Sequence, residues 1–120
     1  YGAPALLLTT RGRTSGLLRR TALYYGKDGD AFVVVASNGG ATEHPQWYRN
    51  IAADPAVRLQ VGAEHYDGRA RTATPEERPR LWAAMAEVWP AYEDYRKRTD
   101  REIPVVVVEV GPADGAGPAS

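Results

Sequence analysis

The sequence predicts a mainly β (α+β) domain: a small, mostly antiparallel barrel of six strands with short helices packed outside it. Three observations carry the prediction. Short β-branched runs recur along the chain and are punctuated by Gly, Asp and Asn turn signals. The helix signals do not alternate with the strands as a doubly wound sheet requires. Six short strands left open would also expose two edges, which closure removes.

Taken in order, residues 5–10 (ALLLTT) form an apolar, β-branched run that reads as a strand entering a long basic loop at Arg11-Gly12. Residues 21–26 (TALYYG) and 31–37 (AFVVVAS) flank Lys27-Asp28-Gly29-Asp30, whose Asp-Gly has hairpin turn chemistry. A helix is expected over residues 45–53, opened by Pro45 and closed before Asp54-Pro55. In residues 57–61, Val57, Leu59 and Val61 share one face, and an alternating stretch over 65–73 completes a second hairpin. Thr74-Pro75-Glu76-Glu77 combines an N-cap, a proline at the first helical position and a capping-box Glu. Leu81, Trp82, Met85, Val88 and Trp89 then make a helical stripe. Pro90 breaks or restarts the helix; Tyr92 and Tyr95 lie on one face of the next piece, with Glu93 and Lys97 as an i,i+4 pair. Residues 105–110 (VVVVEV) suit a strand buried on both faces or closing a barrel. The folded domain is expected over residues 1–110, and the small, Gly- and Pro-containing tail 111–120 is expected to be disordered.

Composition narrows the chemistry. With 120 residues the chain fits one domain. Fifteen Lys plus Arg balance fifteen Asp plus Glu, so no global field favours nucleic acid or an acidic membrane, and any anion site must be local. The absence of cysteine removes disulfides, thiolate nucleophiles and Cys-ligated metals, so redox chemistry needs an organic cofactor. His44 and His65 lack metal-pair spacing, and no metal is expected. No apolar run approaches the roughly 20 residues of a membrane span, and no signal-peptide pattern opens the chain. The expected location is the cytoplasm, with any peripheral membrane contact confined to residues preceding Tyr1.

Four segments can carry function. Arg11-Gly12-Arg13-Thr14-Ser15-Gly16, followed by Arg19 and Arg20, supplies close backbone approach, hydroxyl donors and planar forks for phosphate or carboxylate. It lacks the Gly-Lys-Ser/Thr ending of a Walker loop, and a solvated basic hairpin loop explains it as well. Ala36-Ser37-Asn38-Gly39-Gly40 permits positive φ and offers donors and acceptors to a flat heterocycle, or else forms a polar turn. In His44-Pro45-Gln46-Trp47-Tyr48, His44 suits a capping or loop role, and Trp47 packs in the core or walls a ring cleft. Trp89-Pro90-Ala91-Tyr92-Glu93-Asp94-Tyr95 places phenols that either pack or donate a proton to a substrate.

These segments in this order, finished by Arg101-Glu102-Ile103-Pro104-Val105-Val106-Val107, resemble the deazaflavin-dependent nitroreductase family of actinobacteria. The similarity runs over about residues 2–109, through LLLTT-GR-TSG, VVVASNGG, HP-WY-N-A-DP-V and WP-Y--Y---T-R-IPVVV. The resemblance implies a split β-barrel that binds coenzyme F420, an 8-hydroxy-5-deazaflavin with a phosphate and an oligoglutamate tail, and that reduces quinones, nitroimidazoles or other electron-poor acceptors. It assigns the phosphate and acidic tail to Arg13, Thr14, Ser15 and Gly16, with Arg19 or Arg20 nearby. It places Tyr24, Ala36, Ser37, Asn38, Gly39, Gly40 and Trp47 at the deazaflavin ring and Tyr92 and Tyr95 over the acceptor, with Tyr92 or Ser37 meeting charge that develops on the acceptor oxygen. Relatives often carry lysine where Thr14 and Asn38 stand, which separates this chain's phosphate and ring contacts from theirs. They can also carry an N-terminal helix over the substrate, which would precede Tyr1 here. An FMN-binding split-barrel flavoprotein and a non-catalytic coenzyme carrier are the alternatives. Oligomeric state is not legible from these residues.

Overall fold

The computed structural model describes residues 4–111. Within them the strands are β1 (Ala5–Arg11), β2 (Leu18–Tyr24), β3 (Gly26–Asp28), β4 (Ala31–Val35), β5 (Ala56–Val61), β6 (Glu64–Thr72) and β7 (Val105–Val110). A 3-10 turn (Asn38–Gly40) and helix α1 (Gln46–Ala53) separate β4 from β5, and α2 (Arg78–Val88) and α3 (Ala91–Lys97) separate β6 from β7. All seven strands join one sheet in the order β2-β1-β5-β6-β7-β4-β3, every pairing antiparallel. β2 and β3 are consecutive in the chain yet lie at opposite edges, so the sheet must curl until its two edges meet at Tyr25. The Tyr25 N–H donates to Pro4 O at 3.1 Å at that seam.

That seam is where the expected strands need correction. Residues 21–26 are not one strand paired with β4. Leu18–Tyr24 pairs along its whole length with β1, while only Gly26–Asp28 pairs with β4, which raises the strand count to seven. The basic loop is shorter than expected, since the ladder from Ala5↔Tyr24 to Arg11↔Leu18 draws Arg19 and Arg20 into β2.

Two cores explain the continuous apolar runs. Phe32, Val34 and Ala36 of the β4 segment point into the barrel with Leu6, Leu8, Leu59, Val106 and Val108. Their neighbours Val33 and Val35 point outward with Val105 and Val107, against Leu81, Trp82 and Met85 of α2 and Tyr92 of α3. Side chains alternate faces along a strand, so only strands buried on both sides can be apolar at every position. Helix α1 sends Trp47 and Ile51, one turn apart, into the barrel core.

The capping box forms reciprocally: Thr74 N donates to Glu77 Oε1 at 2.9 Å and Glu77 N to Thr74 Oγ1 at 3.2 Å. Regular α-helix nevertheless begins only at Arg78. The Glu77 carboxylate also takes a two-pronged pair from Arg71 at 2.8 and 2.9 Å, which holds it down to about 2. The expected Glu93–Lys97 pair is replaced by Glu93 with Arg96, at 2.6 Å, while the other Glu93 oxygen accepts from Trp82 Nε1 at 2.7 Å. The indole fixes the carboxylate on the near side of the helix, where the i+3 cation reaches it. Nearly all of the tail expected to be disordered lies outside the described residues, among which no helix is long and apolar enough to cross a membrane.

Leu59 is fully buried at the centre of the barrel core. Leu59→Ala is expected to destabilise the fold by about 2–5 kcal/mol, because the curled sheet collapses only partly into the space left. Denaturant unfolding measures this; a loss well under 1 kcal/mol would mean the barrel interior is loosely packed.

Candidate anion and ring site

The β1–β2 hairpin carries the first half of the site. Gly12 N donates to Leu17 O at 2.7 Å, Gly16 N to Gly12 O at 2.8 Å, and Arg11 Nη1 to Gly16 O at 2.7 Å, so these bonds close the loop on itself. Gly16 sits at φ 77° and shapes the loop. A Cβ on Gly12 would lie 2.8 Å from Ser15 Oγ and 3.2 Å from Leu17 O, so a larger residue there would displace the Ser15 hydroxyl. Both glycine N–H groups are therefore consumed internally. The N–H groups of Thr14 and Ser15 find no partner among the described residues.

These residues line a cavity of about 440 Å³ with Gly12, Arg13, Arg19, Thr21, Gln46, Trp47 and Asn50. Arg19 stands opposite Thr10, a buried inward residue, whereas Arg20 stands opposite Thr9 on the other face. Register thus puts Arg19 and not Arg20 at the cavity. Arg13 is anchored by Asn50, whose Oδ1 accepts from Arg13 N at 3.2 Å and from Arg13 Nη1 at 2.9 Å. Asn50 Nδ2 donates in turn to Thr10 Oγ1 at 3.2 Å, so a buried amide ties helix α1, β1 and the loop together. Sequence reasoning assigned Asn50 no role, since its partners lie 37 and 40 residues away.

The second half is an aromatic cavity of about 380 Å³ lined by Tyr24, Val35, Ser37, Gly39, Trp89, Tyr92 and Tyr95, among others. Tyr24 and Trp89 rings lie 4.7 Å apart, and Tyr92 and Tyr95 lie 6.1 Å apart. Burial, reinforced by Tyr95 and Tyr24, pushes the Tyr92 phenol up to about 12, so at neutral pH it keeps its proton and can donate.

The glycine turn reaches this cavity only in part. Asn38, Gly39 and Gly40 have φ of 49°, 64° and 83°, the left-handed conformation the Gly-Gly pair was expected to permit. Gly39 has open space where a Cβ would stand, but one on Gly40 would lie 2.9 Å from Tyr95 O. Asn38 Nδ2 is directed to Glu43 O at 3.0 Å, and Ala36 is fully buried, so neither lines the cavity. Trp47 is placed at the anion cavity, 6% exposed. Behind the turn, Arg101 donates to Ala36 O, Ser37 O, Ala41 O and His44 Nδ1. No role for Arg101 was legible, because its partners lie 57 to 65 residues away.

A curled antiparallel sheet with a cationic cavity beside β2 and an aromatic cavity at its C-terminal end offers room for an anion and for a flat ring. The chain belongs to the F420H(2)-dependent quinone reductase family: the profile so described matches residues 1–110. It is an oxidoreductase family whose cofactor is coenzyme F420. The chain is 41% identical over 108 residues to F420H(2)-dependent quinone reductase Rv1261c of Mycobacterium tuberculosis (strain ATCC 25618 / H37Rv), covering 88% of this chain and 72% of the relative. Among solved structures it is similar to an F420-H2 dependent reductase (FDR-A), with TM-score 0.81 and 40% identity over 88% of this chain and 94% of that one. A chain described as a domain-swapped dimer gives TM-score 0.82 and 40% identity, covering 88% and 80%. The resemblance read from the sequence is thereby shown, under a description that names a quinone as acceptor.

His44 accepts from Arg101 at 2.9 Å and so is a neutral ring with its proton on Nε2. Its burial, with Arg101 and Arg49 nearby, lowers its pKa. The folded value therefore lies below the unfolded one, about 6.5. The stabilising contribution is complete above about 6.5 and is lost as pH falls through the folded value. Between pH 7 and 5, wild type should lose more stability than His44→Gln, whose amide oxygen accepts without titrating. Parallel unfolding curves for the two proteins would detach His44 from the turn.

Proposed function

We propose that this chain transfers a hydride from reduced coenzyme F420 to a quinone, with the coenzyme's phosphate and acidic tail on the hairpin loop and its ring in the aromatic cavity. One observation carries the reading. The two cavities share β2, with Arg19 and Thr21 lining the first and Tyr24 the second. Three residues of extended strand span about 10 Å. Arg19 and Thr21 project from one face of β2 and Tyr24 from the other, and because β2 is an edge strand, one molecule with a flat heterocycle and an anionic tail reaches both cavities around that edge. The donor set fits that molecule: Arg13 and Arg19 offer forks, and Thr14 and Ser15 offer free N–H groups beside them.

When bound, the coenzyme supplies the hydride, and the protein supplies binding and orientation. Tyr24, Ser37 and Gly39 position the ring edge, and Trp89 packs behind Tyr24. Tyr92 and Tyr95 on α3 cover the open side and exclude water from the acceptor. The protonated Tyr92 phenol donates a hydrogen bond to the quinone oxygen on which negative charge develops, and the Ser37 hydroxyl is the second donor within the same cavity. Nitro compounds fall under the same proposal, because a nitro oxygen gathers charge in the same way. A cytoplasmic location is part of this reading.

Arg13→Glu is expected to weaken coenzyme binding while leaving the barrel folded: a fork in an exposed loop is replaced by a like charge, and the backbone bond from Arg13 N to Asn50 persists when the Nη1 bond is lost. Fluorescence titration with oxidised coenzyme F420 checks it, and affinity should fall with added salt as the tail contacts are screened. The same titration with FMN should give weaker binding, because FMN lacks the carboxylate tail; tighter FMN binding would promote the flavoprotein alternative. Tyr92→Phe should leave coenzyme affinity unchanged and lower kcat with menadione about 10²-fold. Equal turnover in that variant would assign Tyr92 to packing, and coenzyme binding without acceptor-dependent oxidation in wild type would favour a carrier.

A further inference from the structure

Arg101 lies between α3 and β7, and all four of its side-chain acceptors come from a different stretch of chain. Nε donates to Ala41 O at 2.9 Å, Nη2 to Ser37 O at 2.7 Å, and Nη1 to Ala36 O at 3.3 Å and His44 Nδ1 at 2.9 Å. These acceptors bracket Asn38–Gly40, in which three successive residues hold positive φ. Left-handed backbone at Asn38 is costly, and such conformations persist only where the surroundings over-determine them. The turn's own backbone bonds are few: Gly40 N to Ser37 O at 2.9 Å and Ala41 N to Asn38 O at 3.1 Å. Asn38 Nδ2 adds one bond to Glu43 O at 3.0 Å on the far side, and the Arg101 guanidinium alone reaches acceptors at both ends of the turn.

The turn faces α3. Gly40 packs so close to the Tyr95 backbone that a Cβ would meet Tyr95 O at 2.9 Å. Ser37 and Gly39 form one wall of the aromatic cavity, and Tyr92 and Tyr95 form another. Arg101 lies four residues beyond the last residue of α3, so its bonds join the segment that follows one wall to the segment that forms the other. Arg101 itself lines a separate cavity, with His44, Tyr48 and Arg78, and not the aromatic one. It acts through the turn.

We propose that Arg101 is a positioning residue for hydride transfer: its fork sets the Ser37–Gly39 wall against Tyr92 and Tyr95 and so fixes the width of the ring cavity. The kinetic consequence rests on the coenzyme reading above, whereas the clamp is a property of the chain alone. Lysine keeps the charge but lacks the planar fork, so it cannot serve acceptors at both ends of the turn.

The test compares wild type, Arg101→Lys, Arg101→Ala and Arg78→Gln. Arg78 bonds Ile103 O and Glu102 in the same connecting segment, and no bond from it to the turn is present among the described residues. In the ligand-free protein, amide hydrogen exchange at Gly40 and Ala41 should speed up in both Arg101 variants and not in Arg78→Gln. With coenzyme F420 and menadione, kcat of Arg101→Lys should fall about 10²-fold, the scale of a small misplacement at the reacting atoms. Millimolar guanidinium ion should restore exchange protection and part of kcat to Arg101→Ala. Unchanged exchange in Arg101→Lys overturns the proposal, as does an equal loss of kcat in Arg78→Gln. Failure of wild type to bind coenzyme F420 would overturn the coenzyme reading instead, and the exchange comparison would still decide the clamp.

Discussion

The β4–β7 pair is the constraint from which the other features follow. Val34 faces Val106 and Val33 faces Val107 across an antiparallel ladder, and the two sets of side chains enter different cores. A slip of one residue would exchange those sets, sending Phe32 and Val34 toward the helices and Val33 and Val35 into the barrel. Because Phe32 fills the barrel beside Tyr25 and Tyr66, with ring centroids 5.5 and 5.3 Å away, the exchange would replace a packed aromatic cluster by valine. Register is therefore strongly specified. It fixes where β4 ends, which is where Ala36 and Ser37 leave the sheet and the left-handed turn begins.

The site inherits its position from that ending and from the seam at Tyr25. Curling the sheet until β2 continues into β3 brings the C-terminal half of β2 beside the end of β4, so Tyr24 meets Ser37 and Gly39 at one cavity. The same strand, three and five residues earlier, presents Thr21 and Arg19 beside the hairpin loop. The sheet curls without a ladder between its edge strands β2 and β3, and that curl sets a cationic and an aromatic cavity along one edge strand.

What could be read from the sequence follows a physical divide. Local chemistry was legible: the Thr74–Glu77 capping box, the Asp28-Gly29 turn, the Gly39-Gly40 positive φ and the apolar runs of β4 and β7 each depend on residues within a few positions. The break at Tyr25 was not, because Tyr24-Tyr25-Gly26 carries the same β propensity whether the strand runs straight or changes partners. The choice between Arg19 and Arg20 needed the β1–β2 register, since period-two alternation assigns faces only once one residue's face is known. Asn50 and Arg101 were invisible as organisers for a third reason. Each binds backbone or side-chain atoms brought close by the closed barrel, and no spacing rule links them to their partners.

These two residues preorganise the proposed site. A mobile arginine loses side-chain entropy when it grips an anion, and an unsupported glycine turn loses backbone entropy when it frames a ring. Here Arg13 is already held by two bonds to a buried Asn50, with guanidinium nitrogens left over for a ligand, and the Ser37–Ala41 turn is already held by Arg101. Both costs are met during folding. Each hub also has its own polar atoms occupied by protein partners, Asn50 by Thr10 and Arg101 by three carbonyls and His44, so neither leaves a buried polar atom unpaired. The chain's net charge of zero fits the proposed arrangement, in which affinity for an anion would come from a few preorganised groups at one hairpin and not from a field spread over the surface.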